Sequence, residues 1–333
     1  MFIKKVEILP LISFMMFMLL TACSQQKDVK QDPTKLTLQL KWVHQAQFAG
    51  FYVAEDLGFF EQQALDVEFL TGGPKKVPLE ALVAGKADFA VTSAEDVVKA
   101  HSEGKPVVAI AAIYRLNPLI FMTLSDSGIT DPRQFPGRNI AYSSQDGKLQ
   151  SEAMMRNLSL DINSLKEGPY DYKYQNLLNG QIDITTGYLT GGYLRLKRSG
   201  VKVNVIWPED YGVHVYGDVL ATTENMLIEK PELVSRFLKA SLDGWTIALQ
   251  NQQQGVASTM KFALEADPEL QASMLSQSFP LIETGEDRIG WMDASVWVSI
   301  TESLASAGII KKEMQNKSVF NLGPLKSAYE IAQ

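Results

Sequence analysis

From Leu36 onward, strand-like and helix-like stretches take turns along the chain, and this alternation constrains the fold more than any other feature. Leu36-Thr-Leu-Gln-Leu40 alternates apolar and polar side chains, the period of a half-buried strand, and Phe48 to Leu57 reads as a helix stopped by Gly58. Leu65 to Leu70 is a second strand, Val77 to Ala84 a helix closed by Gly85, and Asp88 to Val91 a third strand. Val97 to Ser102 is helical until Gly104, and Pro106 to Ile113 is apolar enough for a strand buried on both faces. Successive strand-helix units predict a largely parallel sheet covered by helices on both sides.

After Arg115-Leu-Asn-Pro118 a similar series starts again. Ile120 to Leu124, Asn139 to Tyr142, Ile182 to Thr185 and Val201 to Ile206 read as strands, with helices at Lys148 to Leu158, Gln175 to Leu178 and Tyr193 to Arg198. Val213 to Thr222 is expected to cross back, and the remainder is helical: Glu229 to Gln252, Val256 to Glu265, Pro268 to Gln277 and Ile289 to Ala307. A chain of 333 residues, 46% hydrophobic and 21% charged, is large enough for two lobes. The expected division is 34–118 with 222–333 as lobe 1 and 119–221 as lobe 2. Cys23 is the only cysteine, so no intramolecular disulfide can form and packing must hold the fold.

The N-terminus carries a different signal. Lys4 and Lys5 precede an apolar run from Ile8 to Leu20, too short for a bilayer span of about 20 residues and followed by Leu20-Thr21-Ala22-Cys23. This ending resembles the bacterial lipobox. Residues 1–22 are therefore expected to be a lipoprotein signal peptide, with lipid on Cys23 and residues 23–33 as a polar tether. An exported protein held to a bacterial membrane only by lipid follows. A net charge of −7 excludes nucleic acid as partner, and His44, His101 and His214 lack metal-ligand spacing.

Longer motifs bring a family into view. Trp42-Val-His-Gln-Ala-Gln-Phe-Ala-Gly-Phe-Tyr-Val-Ala54, Gly58-Phe-Phe-Glu61 and Leu65-Asp-Val67 resemble the opening of the thiamine-pyrimidine-synthase-like family of substrate-binding proteins. Gly85-Lys-Ala-Asp-Phe89, Tyr211-Gly-Val-His-Val-Tyr-Gly217, Leu220-Ala-Thr-Thr-Glu224 and Glu229 to Phe237 extend the likeness over nearly all of the chain after the tether. Gly85-Lys-Ala-Asp88 is shared with sulfonate- and nitrate-binding relatives. The resemblance implies an α/β periplasmic-binding-protein type II fold, two lobes joined by two crossing segments, with a ligand between them. It also implies an ABC permease and ATPase as partners of a monomeric binding protein. The expected ligand is a small heteroaromatic, most naturally a thiamine pyrimidine precursor; sulfonates and riboflavin-like rings are the rivals.

Ligands in open α/β sheets bind beyond the carboxyl ends of the strands, which selects the candidate residues. After the first strand come Trp42, a flat wall or a packing residue, then His44, a ligand contact or a satisfied surface histidine, and Gln47. Gly73 follows the second strand, in a turn that would let backbone approach a ligand. Thr92 and Ser93 stand at a helix start, as cleft donors or as caps. Ser143, Ser144 and Gln145 form a strand-to-helix loop resembling the family's glycine-containing binding loop, although Asp146 beside them argues against phosphate. Gly187 and Tyr188 end the next strand, and Tyr211, Tyr216 and Asp218 lie near the second crossing, where aromatics and a carboxylate suit an aminopyrimidine.

One eukaryotic branch of the family is an enzyme that consumes its own histidine and bound pyridoxal phosphate with iron. Its Schiff-base lysine and the histidine four residues later fall on Thr92 and Asp96 here, and no cysteine follows Cys23 for an iron motif. Neither a nucleophile elbow, a His-Glu-x-x-His helix nor a Walker loop is present. The expectation is a binding protein with no catalytic residues, cofactor or metal.

Overall fold

The computed structural model describes residues 1–2, 32–73, 76–285, 288–311 and 319–330. The signal segment, Cys23 and the tether up to residue 31 lie outside them. Met1–Asp32 and Pro33–Gln333 are separate units, and every element below belongs to the second.

Two five-stranded sheets organise this unit. The first contains β1 (Thr34–Gln39), β2 (Leu65–Leu70), β3 (Phe89–Ser93), β4 (Val107–Ala112) and β10 (Asp218–Thr223), in the order β2-β1-β3-β10-β4. The second contains β5 (Leu119–Leu124), β6 (Asn139–Ala141), β7 (Lys166–Glu167), β8 (Ile184–Tyr188) and β9 (Val203–Ile206), in the order β7-β6-β8-β5-β9. β1 pairs in parallel with β2 from Thr34↔Leu65 to Gln39↔Leu70, and with β3 at Leu38↔Phe89. β3 and β4 are buried along their whole length, which is why Val107-Val-Ala-Ile-Ala-Ala112 carries no polar alternation.

The sheets are less parallel than the strand-helix rhythm predicts. β10 runs antiparallel to β3 and β4, and β5 antiparallel to β8 and β9. Both odd strands arrive from the other sheet: β4 leads directly into β5, and β9 into β10. A strand delivered by such a crossing is not the product of a helical crossover, so the rule that makes strand-helix-strand units parallel does not govern it. The return crossing also ends earlier than expected. Asp218 already pairs opposite Ser93 in the first sheet, so residues 218–221 belong there and not with 119–217.

The C-terminal helices complete the first sheet's core. The helix expected from Glu229 to Gln252 is Pro231–Gln250, with Pro231 opening it where a missing N–H is harmless, and a short helix, Glu224–Glu229, precedes it. Pro231–Gln250 packs on helix Ala49–Asp56 so closely that a Cβ on Gly244 would stand 2.1 Å from the Gly50 carbonyl oxygen. Phe237 of the same helix stacks on Phe89 of β3 with ring centroids 3.9 Å apart, and Trp245 is fully buried. Gly323–Glu330 is a further helix that the apolar pattern did not reveal. Among the described residues no helix is long and apolar enough to cross a membrane.

Candidate functional site

A cavity of about 730 Å³ opens between loops of the two sheets. Its first side comes from the loop after β1, with Lys41, Trp42, Gln45 and Gln47, from Gly73 after β2, and from Asp96 and Lys99 of helix Ala94–Ser102. Its second side comes from Tyr142 to Asp146 after β6, from Tyr170 and Tyr174, and from the segment after β8. That last segment, Leu189–Tyr193, is a π-helical turn, a form that recurs at functional sites. It brings bare backbone against a phenol: a Cβ on Gly192 would fall 2.0 Å from the Tyr174 hydroxyl.

The floor of the cavity is a buried ion network. Lys41 Nζ donates to Asp146 Oδ2 at 2.9 Å and to the Tyr188 hydroxyl at 2.6 Å, and stands 3.4 Å from Asp218 Oδ1. Tyr188 in turn donates to Asp218 Oδ1 at 2.9 Å, and Gln47 Nε2 to Asp218 Oδ2 at 2.6 Å. Topology explains the meeting. Because β10 runs against β3, its first residue, Asp218, lies at the carboxyl end of the parallel strands, beside the loop carrying Lys41 and Gln47. Asp146 and Asp218 are each only 1% exposed, so a carboxylate there survives only with partners.

These contacts set the protonation states. Burial opposes the Lys41 ammonium, but Asp146, Tyr188 and Asp218 together outweigh it and hold the lysine well above its usual range. Burial likewise works against the Asp146 carboxylate, yet Lys41 and hydrogen bonds at the helix start keep it below its usual value. Asp218 goes the other way, since burial exceeds what Lys41, Gln47 and Tyr188 return. Beneath them, Glu95 accepts from Gln150 Nε2 at 2.8 Å across the two halves, and burial plus the nearby Asp146 push its carboxyl up to about 8. The floor thus sets one lysine against several carboxyls and offers acceptors to a ligand's N–H groups.

Of the residues expected from the sequence, Trp42, Gln47, Gly73, Ser143, Ser144, Gln145, Gly187 and Tyr188 line the cavity, and Asp218 lies in the network below. Five others do not reach it. His44 points its ring toward Tyr52 and Phe262, with Nδ1 2.9 Å from the Tyr52 hydroxyl, and burial lowers its pKa. Thr92 is inside β3, opposite Val219, its buried hydroxyl without a hydrogen-bond partner. Ser93 caps the following helix by accepting from the Asp96 N–H at 3.2 Å. Tyr211 donates to Asp131 at 3.5 Å on the far side of the crossing. Tyr216 is a core residue packed on Trp297, and its hydroxyl accepts from the Asp293 N–H at 2.7 Å.

The sequence pointed to the loops that carry Lys41, Gln45 and Asp146 without singling these residues out as contacts, with Asp146 read only against phosphate, and it gave no sign of Tyr170, Tyr174 and Arg195; all six line the cavity. The available signal was position, since Lys41 lies two residues beyond the first strand and Asp146 is in the first turn of helix Gln145–Asn157, after the loop that follows β6. Among the described residues no group of three or more His, Cys, Asp or Glu could hold a metal ion.

Comparison with known proteins adds a lineage to this geometry. A family model described as NMT1/THI5 like matches residues 45–255. The riboflavin-binding protein RibY of Chloroflexus aurantiacus is 24% identical, with 95% of this chain and 97% of that protein covered. A formylaminopyrimidine-binding protein of Halalkalibacterium halodurans is also 24% identical, over 86% of this chain and 94% of its own. The alkanesulfonate-binding protein SsuA of Xanthomonas axonopodis pv. citri, solved with MOPS, superposes with a TM-score of 0.69 at 13% identity, covering 87% of this chain and 99% of that one. At such identity the likeness speaks for the fold alone, the periplasmic-binding-protein architecture of two sheets joined by crossing strands.

Proposed function

We propose, from the premise that this chain belongs to the NMT1/THI5-like family, that it is the solute-binding protein of an ABC importer and captures a small, flat, amino-bearing heteroaromatic of the thiamine-pyrimidine type. The observation that carries this reading is the acid-rich floor beneath aromatic walls. Asp146 and Tyr188, with Asp218 behind them, place oxygen atoms at the base of a cavity also lined by Trp42, Tyr142, Tyr170 and Tyr174. An amino group and ring N–H suit those acceptors, and ring faces suit those aromatics. A sulfonate set beside Asp146 would meet like charge. Residues 34–118 together with the chain that returns at Asp218, and residues 119–217, would act as two lobes that close on the ligand, with lipid on Cys23 holding the monomer near its permease.

Catalysis of the related synthase is not part of this reading, because the residues do not fit pyridoxal phosphate. Thr92 stands where the branch's lysine is needed and is sealed inside β3. Lys41, a buried lysine of the cavity, is engaged by three oxygens and held as an ammonium, whereas an imine needs a free amine. A thermal-shift series with formylaminopyrimidine, hydroxymethylpyrimidine, riboflavin and an alkanesulfonate tests the proposal, with each incubated ligand recovered and analysed. Stabilisation by a pyrimidine, recovered unchanged, is the expected result. Stabilisation by the alkanesulfonate alone would overturn the ligand class, and conversion of any ligand would overturn a purely binding role.

A further inference from the structure

Helix Ala94–Ser102 follows β3 of the first sheet, helix Gln145–Asn157 follows β6 of the second, and the two pack against each other. Ala94 and Val97 of one share a buried cluster with Leu149 and Ala153 of the other. Within this apolar contact Gln150 Nε2 donates to Glu95 Oε1 at 2.8 Å, and both residues are only 2% exposed. The second carboxyl oxygen of Glu95, Oε2, is buried without a hydrogen-bond partner. A carboxylate in that place would leave charge on an oxygen that neither water nor a donor reaches, a heavier cost than sealing in the neutral acid. The surrounding charges do not rescue the anion. Asp146 repels it from the facing helix, and Lys41, the cation that acts on it, is bonded to Asp146 and Tyr188. On the facing helix Lys148 is paired with Glu167, Arg156 donates to the Ala307 carbonyl, and Glu152 is half-buried. Asp96 and Lys99 stand on its own helix, Glu80 and Glu302 on neighbouring helices are exposed, and Asp218 of β10 is taken up by Gln47 and Tyr188. β3 and β4 carry no titratable side chain.

The bridge from Gln150 to Glu95 joins the two lobes, so parting them breaks it and admits water to both side chains. We propose that Glu95 is a proton-linked latch: closing the cleft seals its protonated carboxyl against Gln150, and opening the cleft releases that proton to water. The latch concerns how the lobes move and holds for whichever ligand the cavity takes. Sealed, the carboxyl is pushed up to about 8 by burial and by Asp146; in water it returns to its ordinary 4.5. The help the latch gives to closure is therefore complete below about pH 4.5 and lost as pH rises through about 8. Between these limits the ratio of closed to open molecules falls by up to about tenfold per pH unit. The cross-lobe bond of Lys41 to Asp146 does not share this behaviour, because its lysine is held above and its carboxyl below their ordinary ranges.

Distances between two spin labels in the ligand-free full chain test this directly. β2 and β7 are the edge strands farthest from the crossing strands in their sheets, so labels there separate most when the lobes part. Glu68→Cys and Lys166→Cys, both at exposed positions, put one label on each, and Cys23→Ser removes the chain's own thiol. Pulsed dipolar spectroscopy compares this protein with the same chain carrying Glu95→Gln, whose amide has no proton to release; circular dichroism checks folding at each pH. With Glu95 present, the ratio of the short to the long distance should fall by about 10- to 100-fold between about pH 6 and about pH 9. E95Q should keep the short distance at both, although Asp96 and Asp218, also raised by burial, titrate there as before. If E95Q does not fold, Gln150→Met removes the bridge and should raise the long-distance population about five- to tenfold at about pH 6. Distances that coincide at the two pH values, an E95Q that opens as the parent does, or a Q150M no more open than the parent overturns the latch. Each of these outcomes leaves the binding proposal standing, because the thermal-shift series tests that proposal separately.

Discussion

Each charged group of the Lys41 network at the cavity floor has found its partner within the protein, whereas the guanidinium on the wall formed by Tyr170 to Arg195 keeps a buried N–H with none. The two regions serve different ends. A floor satisfied in the absence of ligand contributes to folding and fixes its acceptors in advance, so its cost was met when the two halves came together. The wall, held by ring contacts such as that of Arg195 on Tyr172 and not by ion pairs, contributes less to folding. Damage at the floor should therefore appear in stability and affinity together, and damage at the wall in affinity alone.

Lys41→Met is the severest way to break this distinction. It leaves Asp146 and Asp218 buried without their cation, and a loss of about 3–5 kcal/mol in chemical denaturation is expected. A variant as stable as the wild type would mean that the floor is not held by this network. Tyr188→Phe removes a donor to Asp218 and an acceptor from Lys41 while keeping the ring, so a smaller loss, about 1–2 kcal/mol, should appear in the same assay.

Glu95→Gln probes the layer beneath the floor through pH. Burial raises this carboxyl to about 8, above its value of 4.5 in an unfolded chain, so the folded protein holds a proton that the unfolded one releases. The associated stability is complete below about pH 4.5 and is lost as pH rises through about 8. The melting temperature of E95Q relative to wild type should accordingly climb by about 2–5 °C between pH 5 and 8. A constant difference across that range would contradict the assignment. Trp42→Ala, at the mouth, should move the melting temperature least, by about 2 °C or less, yet weaken an aromatic ligand about tenfold in a binding titration. Equal losses of stability and affinity would place Trp42 with the floor.

Much of this architecture was legible because it is local. The alternation at Leu36 to Leu40 and the unbroken apolar run at Pro106 to Ile113 report strand burial directly, and Gly58, Gly85 and Gly104 stop helices where expected. Strand direction at β5 and β10 was not legible, since an apolar run looks the same from either end and direction is decided by which sheet the preceding strand left. The site divides in the same way. Loops after strands named Trp42, Ser143 and Tyr188, but Lys41 and Asp146 are 105 residues apart, and neither reads as buried until the two halves meet. Tyr216 and His44 failed for the opposite reason. Both looked available in a motif, and tertiary contacts with Trp297 and with Tyr52 and Phe262 had already claimed them.

The central claim is that the acid-rich floor selects the ligand by its amino edge. Titration calorimetry of the purified protein with an aminopyrimidine, its analogue lacking the amino group and an alkanesulfonate tests this most directly. The account expects the aminopyrimidine to bind at about micromolar concentration or tighter, the analogue about tenfold or more weakly, and the sulfonate not at all. Tight binding of the sulfonate, or equal binding of the two pyrimidines, would contradict it.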